Sequence, residues 1–267
     1  MRLRGIDMRS KKQGVFRSLI IMFLIGIIGI LFLNRSTIFD RIFNTAGESQ
    51  AAPVVKEKVD QTFQQQLAQL KYVGQQVQVV NHNQPLFTSE DLSIDKGAWQ
   101  KLSHRDWLGR PQVANALLNI SAMPRTGREK LYTKTPGYHV YQFTQNDKQT
   151  YLYNRSHLIG YQLTGENNNA QNLITGTAAL NAIHPYDNQK SMEDFENQIA
   201  GYLRADNHHY VRYRVTPIYR NIERVPRGIE LEAASINSND IRLHVYIFNV
   251  QPGWEINYYT GTAIQNK

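Results

Sequence analysis

An α+β fold with an antiparallel sheet and inserted helices, preceded by one N-terminal transmembrane helix, is the architecture this sequence predicts. Three observations predict it. Residues 211–215 and 241–247 alternate apolar and polar side chains with the period of a strand. Residues 191–204, SMEDFENQIAGYLR, carry apolar side chains at helical spacing. Leu19 to Leu33, LIIMFLIGIIGILFL, is a run of fifteen residues without a polar side chain.

Composition bounds the rest. A chain of 267 residues with 41% hydrophobic content buries one sizeable core, and the first 35 residues differ so clearly from the remainder that one domain plus an anchor fits better than two domains. The formal charge of +8 points to a polyanion binder. However, residues 1–35 hold seven basic residues and one acid, so the 23 basic and 21 acidic residues of 36–267 leave a net charge of only +2 there. Any basic surface on the globular part must come from local clustering. The absence of cysteine excludes disulfides and thiolate metal sites.

At about 1.5 Å per residue the N-terminal apolar run covers about 22 Å, short of a hydrocarbon core of about 30 Å unless Val15, Phe16 and a snorkelling Arg17 extend it. A cleaved signal peptide is the competing reading. Asn34, Arg35, Asp40 and Arg41 follow directly, and the first small-residue pair resembling a cleavage site, Ser49 and Ala51, lies far downstream. An uncleaved anchor over 19–33 fits better. The basic cluster ahead of it then places the N-terminus in the cytoplasm and the rest outside the cell membrane. The expected organisation is a basic segment and anchor over 1–35, a tether over 36–70 and a globular domain over 71–267.

Within the tether Val59, Phe63, Leu67 and Leu70 have helical spacing, which predicts either a free tether or a short helix packing on the domain. QQVQVV (75–80) alternates as a short strand. Trp99 and Trp107 read as core or lid packing, with base stacking as the alternative. Gly109, Arg110 and Pro111 open an expected helical run, QVANALLNI (112–120). In the C-terminal strands Arg212 and Arg214 alternate with Val211, Tyr213 and Val215, and read as a solvated face.

The 191–204 helix starts at a capping box, Ser191 with Asp194 three residues on. At about 100° per residue, Met192, Ile199 and Leu203 lie within roughly 60° of Glu196, while Glu193 and Asp194 point mainly to solvent. A carboxylate near an apolar face must be paired, hydrogen-bonded or near a cation. Glu196 is therefore a metal-site candidate, with a salt bridge to an arginine as the alternative. Asn181, in GTAALNAIH, has a carboxamide oxygen that either hydrogen-bonds locally or binds a hard cation. The segment Tyr153-Asn154-Arg155-Ser156-His157 ends an apolar strand with an imidazole two positions after a guanidinium. Imidazole titrates near neutrality, so His157 is a candidate general base beside an anionic substrate. Alone, such a tetrapeptide is an ordinary turn. The other histidines show no zinc-type spacing.

The order His157, Asn172, Asn181 and then a helical Glu196, over about 40 residues, resembles the DNA/RNA non-specific endonucleases of the ββα-metal (His-Me finger) type. It looks most like their membrane-anchored DNA-entry members from competent Gram-positive bacteria. LGRPQVANALL (108–118), MPRTGREK (123–130), TPGYHVYQF (135–143) and VRYRVTPIY (211–219) look like blocks of that family in its order, so the likeness runs over roughly 72–262. The family's Asp-Arg-Gly-His reads Asn154-Arg155-Ser156-His157 here, so any orienting role of the Asp passes to the Asn154 amide. The resemblance implies a ββα-metal nuclease fold and Mg²⁺ (for which Mn²⁺ can stand in) held by Asn181 and, through water, Glu196. It also implies catalysis by His157, Arg155 and Glu196, and Arg128 and Asn172 on the substrate side, where Asn172 would also fix the loop carrying Asn181. DNA and RNA are the implied substrates, with DNA-uptake machinery as a further partner. The rival readings are a membrane-anchored nucleic-acid receptor that kept the fold but lost most catalysis, and a surface adhesion module.

Overall fold

The computed structural model describes residues 62–145, 147–186 and 189–266. The expected membrane span over 19–33 and most of the expected tether lie outside these residues. Among the described residues no helix is long and apolar enough to cross a membrane.

The alternating segments become the middle of a six-stranded antiparallel sheet. Strands β1 (Val77–Val79), β2 (Trp99–Leu102), β3 (Ala114–Leu118), β8 (Val211–Ile218), β9 (Gly228–Ser235) and β10 (Arg242–Phe248) run in the order β1-β10-β9-β8-β3-β2. Register places Val215 opposite Leu231 and Leu231 opposite Val245, so one face is apolar from strand to strand. Three two-stranded ribbons complete the sheet structure: β4 (Gln142–Gln145) with β5 (Lys148–Tyr151), β6 (Tyr153–His157) with β7 (Leu173–Thr177), and β11 (Trp254–Ile256) with β12 (Ala263–Gln265). Helices α1 (Tyr161–Thr164) and α2 (Ala178–Asn181) are single turns, and α3 (Met192–Ala205) is the one long helix among the described residues.

The apolar sheet face is covered by α3, the β6–β7 ribbon and the two helical turns. Met192, Phe195, Ile199 and Leu203 of α3 are buried with Leu158, Ile159, Ile174 and Leu180 against Val211, Tyr213, Val215 and Leu231. Truncating Ile199 or Leu203 to Ala here would cost about 2–5 kcal/mol.

The run 112–120 is not a helix. Its centre is β3, paired with β2 on one side and β8 on the other. Ala and Leu favour helix locally, but Ala114, Ala116, Leu117 and Leu118 are all fully buried. A strand covered on both faces loses its alternation and reads like a buried helix, so the cross-strand pairing outweighs propensity.

The arginines of β8 are not solvated either. Arg212 is only 4% exposed. Its guanidinium packs over the rings of Phe87 and Trp99 at 4.8 and 4.9 Å and donates to Ala116 O, Tyr213 O and Asn115 Oδ1. Arg214 pairs with Glu232, its cross-strand partner, which in turn lies opposite His244. Burial works against charge on His244, but hydrogen bonding to Glu230 and the field of Glu232 outweigh it and raise its pKa. These groups sit on the second sheet face under the 81–87 segment: Leu86 N donates to Glu232 and Gln84 O meets His244 Nδ1. Glu230, Glu232 and His244 come close enough together to hold a metal ion. Their atoms are already committed to one another, to the backbone and to Arg214, whose charge repels a cation, so the set reads as a buried ion network. Helical residues 62–67 close this face, with Phe63 and Leu67 buried and the Phe63 ring 5.4 Å from that of His244. The end of the expected tether is thus a helix packed on the domain.

In the β6–β7 ribbon a serine occupies the position where the resembled family has glycine. Ser156 is fully buried, and a Cβ on Gly176 would meet its Oγ at 2.2 Å. The two positions exchange volume across the ribbon. Gly176→Ala is expected to destabilise the domain by about 1–3 kcal/mol through overpacking, and adding Ser156→Gly should recover most of that loss. Chemical denaturation of the two single variants and the double variant measures the coupling; additive losses would refute it.

Candidate active site

Strand β6 delivers His157 to the last position before the chain turns. The turn is fixed by Asn172, which is fully buried. Its Oδ1 accepts from Ile159 N at 2.9 Å, its Nδ2 donates to Ile159 O at 2.9 Å, and its backbone oxygen accepts from Leu158 N at 2.8 Å. Both ends of the carboxamide are consumed, so Asn172 holds the segment Leu158–Gly160 and does not reach substrate. This corrects its expected substrate-binding role. The segment it fixes follows His157, and is not the one leading to Asn181.

Gly160, at the end of that turn, donates its N–H to Glu196 Oε1 at 2.8 Å. A Cβ at Gly160 would lie 2.1 Å from Glu196 Oε2, so only glycine permits this approach. The helix register read from the sequence holds: Glu196 faces inward at 7% exposure, and Glu193 is exposed. The capping box also holds, with Asp194 Oδ2 accepting from Ser191 N at 2.7 Å and from its hydroxyl at 2.8 Å.

His157, Asn181 and Glu196 converge on one cleft of about 250 Å³, which Arg128, Gly160, Gln162, Glu193 and Asn197 also line. His157 Nε2 lies 2.8 Å from Asn167 O. A carbonyl only accepts, so Nε2 carries the proton and Nδ1 is left as the basic nitrogen. Burial disfavours the imidazolium, the Asn167 bond partly restores it, and the Arg128 charge disfavours it further; the outcome is a pKa lowered to about 4. Glu196 is shifted the other way. Burial pushes its carboxyl up to about 8, against the Gly160 hydrogen bond, with Glu193 adding to the rise and Arg128 opposing it. The site therefore holds a neutral base at pH 7 beside a carboxyl in want of positive charge. Asn181 and Glu196 present oxygen donors of the kind a hard cation takes.

The structure does not bring Arg155 to the cleft lining. Its Nε donates to Thr133 O at 2.6 Å and its guanidinium lies 4.5 Å over the Tyr138 ring. Nor does Asn154 hold the turn: it lies on the opposite face of β6 from His157 by strand alternation, and Asn167 and Asn172 do that work. Trp99 packs on Arg212, whereas Trp107, expected in a core or lid, is 81% exposed. A larger cavity of about 460 Å³ opens beyond α1 between Gln100, Leu102, Thr164, Gly165, Glu166, Asn169 and Gln171. It contains no imidazole or cation, and so no equivalent chemistry. Sequence reasoning missed Asn167 and Gly160; Asn167 acts through its backbone oxygen, and a lone glycine after a turn carries no distinguishing signal.

A family model described as DNA/RNA non-specific endonuclease matches residues 92–237, more than half of the chain. The chain belongs to the DNA/RNA non-specific endonuclease family. The protein is a nuclease, with an antiparallel sheet and few helices as in the structures it resembles. NucA from Streptococcus agalactiae with magnesium ion bound is 27% identical and superposes with a TM-score of 0.65, covering 77% of this chain and 96% of that one. The same protein with no metal bound gives 27% identity and a TM-score of 0.64, covering 81% and 100%. Sda1 nuclease with bound zinc ion, 22% identical with a TM-score of 0.55 over 63% of this chain and 82% of that one, shares the fold.

Three outcomes follow for the nuclease. In metal-free protein, the NMR titration of His157 should fall well below the ordinary imidazole value of about 6.5, with Nε2 protonated. Arg128→Ala should move that titration upward, because a positive charge that disfavours the imidazolium is removed; a downward move would contradict the placement of Arg128. Gly160→Ala should leave the fold formed but displace the Glu196 carboxylate, read as loss of the slowed amide exchange at residue 160.

Proposed function

We propose that this nuclease is a metal-dependent, sequence-non-specific endonuclease that hydrolyses DNA and RNA outside the cell membrane, with His157 as general base. The observation that carries this reading is the Nε2 contact of His157 with Asn167 O, which leaves an unprotonated Nδ1 in a cleft shared with Asn181, Glu196 and Arg128.

The residues present fit a divalent cation: the donors are oxygens, and a carboxyl driven up to about 8 by burial is relieved by a neighbouring positive charge. Asn181 would hold the ion directly and Glu196 through its surrounding shell, as expected for Mg²⁺, with Mn²⁺ accepted by the same donors. NucA with magnesium bound supports that choice, and the zinc in Sda1 supports a divalent site more generally. When bound, the ion supplies Lewis-acid stabilisation of charge on the phosphate and the departing oxygen.

The chain's own residues do the rest. His157 Nδ1 takes a proton from water as the water oxygen bonds to phosphorus and the bond from phosphorus to the 3′ oxygen breaks. The 3′ oxygen leaves with a solvent proton and the 5′ side keeps the phosphate. Asn167 holds the ring through proton uptake, and because its carbonyl accepts from Nε2 it stabilises the imidazolium. Arg128 balances phosphate charge as it builds up. Contacts to phosphates carry no sequence information, which accounts for cleavage without base preference.

The cellular part of the proposal rests on the sequence. Residues 19–33 anchor the chain with the basic cluster inside, and the nuclease domain acts on external nucleic acid, in DNA uptake as one such task.

His157→Ala should lower the rate of Mg²⁺-dependent plasmid cleavage by about 10² to 10⁴ while the protein remains folded. Retention of more than half the wild-type rate would sink the assignment. Mg²⁺ should raise the melting temperature of the wild type and of Glu193→Gln, and do so far less for Asn181→Ala or Glu196→Gln. Equal shifts in all four proteins would place the ion elsewhere. Protease added to intact cells should remove the domain from the surface; protection there would overturn the topology.

A further inference from the structure

The loop 125–134, RTGREKLYTK, holds four basic residues and one acid in ten positions, a net of +3 against +2 for all of 36–267. Arg125, Arg128, Lys130 and Lys134 are exposed, and among the described residues none of them forms an ion pair. Tyr132 stands among them at 76% exposure. A cationic loop in isolation is commonly a solvated face. This one is bolted to the catalytic segment. The Tyr161 hydroxyl donates toward Thr126 O and Gly127 O at 3.0 and 3.1 Å. Asn168 Nδ2 donates to Lys130 O at 3.0 Å while its Oδ1 accepts from Tyr132 N at 3.0 Å. Arg155 Nε donates to Thr133 O, so the arginine of the Asn-Arg-Ser-His segment pins this loop.

The loop thus begins at Arg128 in the cleft and leaves it along the segment that orients His157. Four residues reach at most about 14 Å, which keeps Tyr132 within a few nucleotides of a phosphate at Arg128. Unpaired cations next to an exposed aromatic ring are the chemistry of a single-strand track: ammonium groups meet successive phosphates, and the ring stacks on a base whatever its identity.

We propose that residues 130–134 form a substrate track for single-stranded nucleic acid, in which Lys130 and Lys134 contact backbone phosphates beyond the scissile one and Tyr132 stacks on an unpaired base. The track deepens, and rests on, the nuclease reading above. Its members position the strand and take no part in bond breaking.

Binding is measured apart from cleavage, using the full-length protein carrying His157→Ala so that the strand stays intact. The probe is a short fluorescein-labelled oligothymidylate, titrated with Mg²⁺ between about 50 and 200 mM salt. Adding Lys130→Ala and Lys134→Ala together should make the slope of log affinity against log salt shallower by about 1.4, from about 0.7 per phosphate contact on a single strand. Tyr132→Ala should weaken binding about five- to hundredfold at an unchanged slope, and Tyr132→Phe should bind nearly as the parent. All three sites are exposed, so unchanged melting curves are expected and checked. Unchanged slope and affinity in every variant, or no binding of the oligonucleotide, would overturn the track. Binding with these dependences by a chain whose wild-type form does not cut would sink the nuclease reading and leave the track standing; cutting without them would do the reverse.

Discussion

The site depends on one buried carboxamide. Asn172 closes a ring of two hydrogen bonds on the backbone of Ile159 in the turn after β6. Buried backbone groups must be satisfied, so the turn has one low-energy course. That course sets His157 at the strand end, aims Gly160 N–H at Glu196 and thereby joins the ribbon to α3. The base on one element and the carboxylate on another are thus fixed relative to each other by two short links. Apolar packing of Leu158, Ile159 and Ile199 supplies the energy, while Asn172 and Gly160 supply the geometry.

Burial at this junction does opposite things to its two titratable groups. The cost of burying charge lowers the His157 pKa and raises that of Glu196. If His157 is the general base, as proposed above, it must be unprotonated near neutrality, and burial serves that directly. For Glu196 the same burial favours a neighbouring positive charge, which fits the cation proposed above. Arg128 stands within electrostatic reach of both groups and opposes the protonated form of each. Its position at the cleft is therefore consistent with a role in setting charge as well as in holding phosphate.

How much of this was legible in the sequence depended on whether a side chain or the backbone carried the signal. The inward face of Glu196, the capping box at Ser191 and the alternation in β8 and β10 are properties of side-chain spacing, and all three hold. Asn167 contributes a carbonyl, which every residue type possesses, so nothing in its identity marked it. The arginine of Asn-Arg-Ser-His was expected among the catalytic residues by the family resemblance; its guanidinium instead ties down the 133 backbone and stacks on Tyr138. The helix expected over 112–120 failed because β3 is covered on both faces, where periodicity vanishes. Arg212 failed for a related reason: alternation shows that it lies opposite Tyr213, but not that Phe87 and Trp99 cover that side too.

The near-neutral charge of the globular part hides a partition that composition cannot show. Folding pairs three arginines with acids, Arg110 with Asp106, Arg214 with Glu232 and Arg227 with Glu223, and His244 meets Glu230, while the buried Arg212 is held by carbonyls and Asn115 instead. Burying a guanidinium or a carboxylate alone costs several kcal/mol, so these pairs form as a condition of the fold and leave no field outside it. Loop 125–134 carries its excess without an ion pair to any of its four cations among the described residues, and it is held beside the cleft that presents the His157 imidazole. A polyanion meeting this loop encounters a net charge of +3 in ten positions where all of 36–267 carries +2, so the local clustering and not the total sets where it is drawn.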